Sequence, residues 1–279
     1  MGKVLSFEQE FTRRYENRPQ ILRFMREAME VPEVSYSDCT LTNLERVRNL
    51  MLSRLAQNSA QVYCAIIKSF LNAVSEEVEL PTLRFAKALR VKTVPSQHCC
   101  LTEEELIKFD EYRPRNQNEL DAKILFMRGA FSGARASDCR VMSADNLHDG
   151  TLSYVSIKTK IAVEQPIHKR LVKYLQMQPS RDRDTKSVNR TIQSICRRLG
   201  FTEEVTLFIN GKSQTKPKWK FITMHASRRS YVTSLAVRGV PIEIVSKLAG
   251  HSNSQITSKH YCCVDTKKLG TEAMSFFND

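Results

Sequence analysis

The sequence predicts a mainly α protein with a small β-sheet. It divides into a helical first domain over residues 1–94 and a mixed α+β domain over residues 95–279, with a tail from about residue 264. Three observations carry this reading. Apolar residues recur at helical spacing through the first hundred residues. One aperiodic stretch with a proline, Val91-Lys92-Thr93-Val94-Pro95-Ser96-Gln97, then interrupts the pattern. Runs of β-branched and aromatic residues follow only beyond it, in Ser153-Tyr154-Val155-Ser156-Ile157 and Ile161-Ala162-Val163.

The elements follow in order. Helices are expected through Phe7 to Tyr15 and through Leu22 to Met29. Thr42-Asn43-Leu44-Glu45 has the form of a capping box, with Leu44, Val47, Met51 and Leu55 behind it. Asn58 is a candidate cap for the next helix, with Gln61 at the reciprocal position. Val62, Ile66 and Phe70 then share one face, with Tyr63, Ile67 and Leu71 beside them. These segments suggest a small four-helix unit. Leu101-Thr102-Glu103-Glu104-Glu105-Leu106 repeats the capping pattern with an acidic first turn, and opens the second domain. An apolar helix through Ile124, Leu125, Phe126 and Phe131 stops at Gly133. The two strand runs are joined by Lys158-Thr159-Lys160. Val188, Ile192, Ile195 and Leu199 mark a helix closed by Gly200. Thr223 caps a helix running to Gly239. Pro241 opens another, with Ile242, Val245 and Leu248 inward and Gly250 at its end.

Charge narrows the function classes. The chain of 279 residues carries 43 Lys and Arg against 30 Asp and Glu, a formal net charge of +13. Residues 151–250 hold 19 basic against 6 acidic side chains. A concentrated cationic surface suits a polyanion, because neutralising phosphates releases counterions. Nucleic acid is therefore the leading partner class. No apolar run approaches the roughly 20 residues that span a bilayer, the N-terminus has no signal-type apolar stretch, and no membrane partner is expected. The eight cysteines fall as two adjacent pairs and four singletons, neither a disulfide framework nor a CxxC zinc pattern. They read as reduced thiols in a cytosol. His98-Cys99-Cys100 and His260-Tyr261-Cys262-Cys263 gather soft ligands, but adjacent side chains diverge on regular structure, and no metal is expected.

A particular set of side chains is scattered over the second domain. Arg135 follows the helix–helix corner in Phe131-Ser132-Gly133-Ala134-Arg135. Lys158 sits at a hairpin tip. His225 and Arg228 lie three apart at a helix start, on one face. His251 follows Gly250, and Tyr261 comes ten residues later. Singly, each type has an ordinary role. An arginine at a corner pairs with a carboxylate such as Asp138, a tip lysine is solvated, and a tyrosine near a terminus packs.

In order and spacing, Arg…Lys…His-x-x-Arg…Gly-His…Tyr resembles the tyrosine recombinase, or phage integrase, family. The resemblance covers the second domain and extends plausibly over the whole chain, and it is most specific from His225 to Tyr261. Gly133-Ala134-Arg135-Ala136-Ser137-Asp138 resembles the family's first-arginine box. Arg229 stands where many members have His, and Ala226 and Ser227 replace an acidic and apolar pair. No functional group of the set is lost by these departures. Lys158 and Lys160 both flank the tip, and the family's Lys-Thr pairing favours Lys158.

The resemblance implies a helical core-binding domain, then a catalytic domain with the tyrosine-recombinase fold. It implies a site-specific recombinase or integrase of a mobile element, with catalytic residues Arg135, Lys158, His225, Arg228, His251 and Tyr261. Attack by Tyr261 on a DNA phosphodiester forms a 3′-phosphotyrosyl link without cofactor or metal. The implied partners are double-stranded DNA and three further copies of the chain, the tetramer docking through the tail that carries Leu269, Met274, Phe276 and Phe277. Accessory DNA-bending proteins are further candidates. The expected location is cytoplasmic, on the nucleoid when DNA is bound. The sequence shows no extra N-terminal arm-binding domain of the kind many integrases carry, so either this member lacks one or the sequence is a truncated form. A type IB topoisomerase-like nicking and rejoining enzyme, or a non-catalytic DNA-binding protein, are the alternatives.

Overall fold

The computed structural model describes residues 5–250. The described residues divide into two compact units. One is built on residues up to Ser96 with Asn210–Lys212, the other on Gln97–Ile209 and residues from Ser213 onward.

The first unit holds α1 (Phe7–Arg14), α2 (Pro19–Met29), α3 (Leu41–Arg54), α4 (Gln57–Val74) and the short α5 (Phe85–Ala88). Ser6 caps α1 reciprocally with Gln9. The α3 cap is Thr40, whose hydroxyl accepts from the Asn43 amide at 3.2 Å, so Thr42 lies inside the helix and the expected box there does not form. Asn58 does not cap α4 either. Its amide is held from both sides by the Val94 main chain, at 2.9 Å each way, and the helix starts after Ala56. The buried stripe of α4 is Ala60, Cys64, Ile67, Phe70, Leu71 and Val74, whereas Val62 is 45% exposed. Phe70 keeps its expected inward place, and the rings of Phe7 and Phe11 stand edge-on to it at 4.8 and 5.1 Å. Burying each such ring contributes about 1.5–3 kcal/mol.

The second unit runs α6 (Glu103–Glu111), α7 (Gln117–Ser132), α8 (Ala136–Val141), β1 (Leu147–His148), β2 (Thr151–Val155), β3 (Ala162–Pro166), α9 (Leu171–Gln176), α10 (Thr185–Arg198), β4 (Glu204–Ile209), β5 (Lys212–Pro217), α11 (Met224–Val237) and α12 (Ile242–Leu248). The box at Thr102 and Glu105 forms as expected. Helix α7 is buried on nearly every side, with α6, α8, α9, α10 and α11 packed around it. Two cations inside it are held by carbonyl oxygens. Lys123 Nζ donates to Asp110 O and Tyr112 O at 2.6 Å each. Arg128, wholly buried, donates to Tyr174 O, Cys139 O and Met177 O.

The sheet is antiparallel in the order β1-β2-β3, with Leu152 opposite Gln165 and Tyr154 opposite Val163. The strand β2 ends at Val155, short of the expected Ile157, because the Ile157 amide bonds to Asp138 instead of to β3. A second, two-stranded sheet, β4-β5, escaped the sequence reading. Its turn, Asn210-Gly211, has φ of 52° and 81°, and Asn-Gly between strand formers is a hairpin signal. Among the described residues no helix is long and apolar enough to cross a membrane.

Helices α7 and α11 approach most closely at Gly129, where a Cβ would stand 2.2 Å from Ser227 Oγ and 3.2 Å from Ser227 Cβ. Gly129→Ala is therefore expected to destabilise the protein by about 1–3 kcal/mol through overpacking. Thermal unfolding of Gly129→Ala and of Gly129→Ala/Ser227→Ala checks it, the second change recovering part of the loss.

Candidate active site

Gly133 ends α7 in the left-handed region, φ 67°, and turns the chain so that Arg135 becomes the N-cap residue of α8. Ser132 steadies the corner, its hydroxyl donating to Arg128 O and accepting from the Ala134 amide. Arg135 is half-buried. Its Nη1 lies 3.1 Å from Ser156 Oγ, 3.5 Å from Thr159 Oγ1 and 3.2 Å from the Gly250 carbonyl. That guanidinium therefore touches the β2–β3 connection on one side and the residue preceding His251 on the other.

The corner arginine does not pair directly with Asp138. The Asp138 carboxylate accepts from Ser156 Oγ at 3.1 Å and from the Ile157 amide at 2.9 Å, so it reaches Arg135 through a hydroxyl. Its charge stays one bond away from the cation. Asp138 also anchors the 156–161 turn that carries the exposed Lys158 and Lys160. Lys160 has φ 57°, and its amide closes the turn on Ser156 O at 2.8 Å. Sequence reasoning assigned Asp138 only a pairing role and gave no sign of this one.

Arg228, in the first half of α11, is 2% exposed and donates from Nη1 to the Gly133 carbonyl at 2.8 Å. Burial first, and the like charge of Arg135 next, bring its pKa down to about 10. It remains a cation at neutral pH. Two positive groups are held close together, and a bound anion would relieve their repulsion. His225 is exposed in the first turn of α11, three residues before Arg228. Thr223 occupies the N-cap, though its side chain makes no cap hydrogen bond.

The structure thus brings Arg135, the Lys158 turn, Arg228 and the end of α12 together. His251 and Tyr261, like the apolar tail, lie outside the described residues. Among the described residues no group of three His, Cys, Asp or Glu side chains is placed to hold a metal ion. Cys99 is buried, and burial drives its thiol pKa to about 12; burial and the charge of Arg229 take His98 down to about 4.

A second basic feature lies on α10. Lys186, Arg190 and Arg197 are exposed and fall on one helical face, with Gln193 between them donating to Lys220 O at 3.0 Å. Arg197 and Lys220 stand over the Trp219 ring at 5.7 and 5.4 Å. Arg198 and Lys218, by contrast, are engaged by Glu119 and Glu105. The stripe was legible as spacing, but the sequence reading registered only regional charge.

Removing the Asp138 carboxylate should loosen the turn. In Asp138→Ala, amide exchange at Ile157 is expected to speed up about tenfold or more, with a stability loss of about 1–3 kcal/mol, since the Ser156 hydroxyl and Ile157 amide lose a buried acceptor. Hydrogen exchange read by NMR, beside thermal unfolding, measures both.

Comparison with known proteins identifies the fold and the family. The lambda integrase fragment 75–356, solved as a dimer bound to a COC′ core site, superposes with a TM-score of 0.67 over 92% of this chain and 95% of that one, at 15% identity. A lambda integrase tetramer bound to a Holliday junction gives 0.60 over 92% and 78%, at 16% identity. The Tn1549 transposon integrase in complex with circular intermediate DNA gives 0.63 over 97% and 99%, at 12% identity. These likenesses establish the fold. In sequence, a tyrosine recombinase XerC-like protein of Caldanaerobacter subterraneus subsp. tengcongensis is 32% identical over 133 residues, 44% of this chain. The aligned stretch spans only 34% of that relative. The family model described as "Phage integrase family" matches residues 101–268, more than half of the sequence. By that match, the chain belongs to the phage integrase family.

Proposed function

We propose that this protein is a site-specific DNA recombinase that cuts and rejoins strands through a 3′-phosphotyrosyl intermediate at Tyr261. One observation carries the reading. Arg135, the turn bearing Lys158, and Arg228 converge beside the residue that precedes His251.

The chemistry follows from those groups. The phenol oxygen of Tyr261 attacks phosphorus and the bond to the 5′-oxygen breaks, so a phosphodiester is exchanged for a phosphotyrosyl ester. The linkage energy is retained, and attack by a 5′-hydroxyl of a partner strand reverses the step. Charge develops on the non-bridging oxygens. Arg135 and Arg228 clamp these as fixed cations with planar, paired donors. His225 accepts the phenolic proton or stabilises the phenolate, since a group with a pKa near 10 is mostly protonated at neutral pH. Lys158 donates a proton to the departing 5′-oxygen. His251 hydrogen-bonds the phosphate or orients Tyr261.

The partner is duplex DNA, and the α10 stripe with Trp219 supplies a basic, aromatic-flanked surface for its backbone. The first unit acts as a second DNA-binding module. Assembly is as a tetramer, which the likeness to the lambda integrase tetramer supports, and the C-terminal tail is the docking element we assign to it. A role in a mobile element is supported by the likeness to the Tn1549 enzyme.

On a nicked suicide duplex, Tyr261→Phe is expected to bind DNA normally and to form no SDS-resistant adduct, and adduct from this variant would move the nucleophile elsewhere. Arg135→Ala and Arg228→Ala should each slow cleavage about 100-fold or more, near 3 kcal/mol, with little loss of binding. Cleavage should persist in EDTA. Replacing Lys186, Arg190 and Arg197 by Ala should lower the slope of log K against log salt by about one for each phosphate that is no longer neutralised. Binding titrations at several salt concentrations give that slope.

A further inference from the structure

The buried face of the small sheet carries a polar side chain. Gln165 is 3% exposed and pairs across the strands with the fully buried Leu152, a place where an apolar residue would complete the face. Both ends of its amide are engaged. Nε2 donates to Ser132 O at 2.7 Å, and Oε1 accepts from the Tyr231 hydroxyl at 2.5 Å. These partners belong to the segments that carry the two arginines. Ser132 is the last residue of α7, three before Arg135. Tyr231 stands on α11, three after Arg228 and on the same face.

The Tyr231 ring also lies against Gly133. A Cβ there would fall 2.5 Å from Tyr231 Cδ1, so the left-handed glycine and the ring fit only each other. The opposite polar edge of that glycine, its carbonyl, receives Arg228 Nη1. One amide and one phenol therefore tie β3, the end of α7 and α11 together at the corner from which both guanidinium groups extend. Burial pushes the Tyr231 phenol pKa up, which keeps it a donor. An apolar pair of similar volume would pack this space. Hydrogen bonds add direction, which packing alone supplies less well.

We propose that Tyr231 and Gln165 are positioning residues for strand cleavage, setting the spacing of Arg135 and Arg228 to that of two non-bridging phosphate oxygens. This rests on the recombinase reading above. Neither residue touches the phosphate; each acts through the Ser132–Gly133 corner.

The test compares wild type, Tyr231→Phe, Gln165→Met and the double variant in single-turnover adduct formation at saturating enzyme, with DNA affinity and melting temperature measured alongside. Two suicide duplexes are used. One has an ordinary scissile phosphate. The other has a methylphosphonate, whose uncharged methyl group replaces one non-bridging oxygen and asks less of the clamp. Tyr231→Phe is expected to bind DNA within about twofold of wild type, to form adduct about tenfold more slowly on phosphate, and to lag by less than about threefold on methylphosphonate. The double variant should be no slower than the slower single one, because both changes break the same tie. A purely structural role would slow both duplexes equally. That result, or a Tyr231→Phe rate within about twofold of wild type on phosphate, overturns the proposal. Gln165→Met provides the same comparison if Tyr231→Phe melts below the assay temperature. Absence of adduct from wild type removes the recombinase reading and this proposal with it, whereas wild-type adduct with an unimpaired Tyr231→Phe removes the proposal alone.

Discussion

Two guanidinium groups of like charge have to be held side by side. A carboxylate in direct contact would hold either of them firmly, and would also cancel the charge that an anionic substrate needs to find. Several of the bonds that orient them run to uncharged acceptors. Arg135 is aligned by two hydroxyls and the Gly250 carbonyl, and Arg228 donates to the Gly133 carbonyl. The nearby Asp138 is kept one hydroxyl away from Arg135. At Arg135, orientation and charge are thereby separated, as a phosphate clamp requires.

The same device recurs behind the site. Arg128 is wholly buried and meets carbonyl oxygens of α8 and of the end of α9, where helix C-terminal carbonyls are suited to a cation. Lys123 does likewise with Asp110 O and Tyr112 O. Helix α7 acts as a beam whose internal cations bind neighbouring backbone, so the corner at its end has little freedom. The close approach at Gly129 serves the same purpose from the α11 side.

The departures from the sequence reading had both local and tertiary causes. Thr42 offered a sound capping box, but α3 begins two residues earlier, on the single cap bond that the Thr40 hydroxyl accepts from the Asn43 amide. Asn58 had the chemistry of a cap, yet the Val94 main chain claimed its amide. The buried face of α4 kept Phe70, which meets two further phenylalanine rings, but took in Cys64 and Ile67 in place of Val62. The β4-β5 hairpin was different: Asn210-Gly211 signalled it locally and went unread.

By itself, the sequence determined the helical first segment, the stop at Gly133, the His225–Arg228 spacing and the cationic character of residues 151–250, because periodicity, glycine conformation and charge are local properties of the chain. Its ordered set of Arg135, Lys158, His225, Arg228, His251 and Tyr261 also pointed to the family. Tertiary structure alone decided that Arg135 meets Gly250 across 115 residues, that Asp138 serves the Lys158 turn rather than the arginine, and that Gln165 faces inward. Hydrogen bonds between distant segments depend on direction as well as residue type, and direction exists only once the helices have packed.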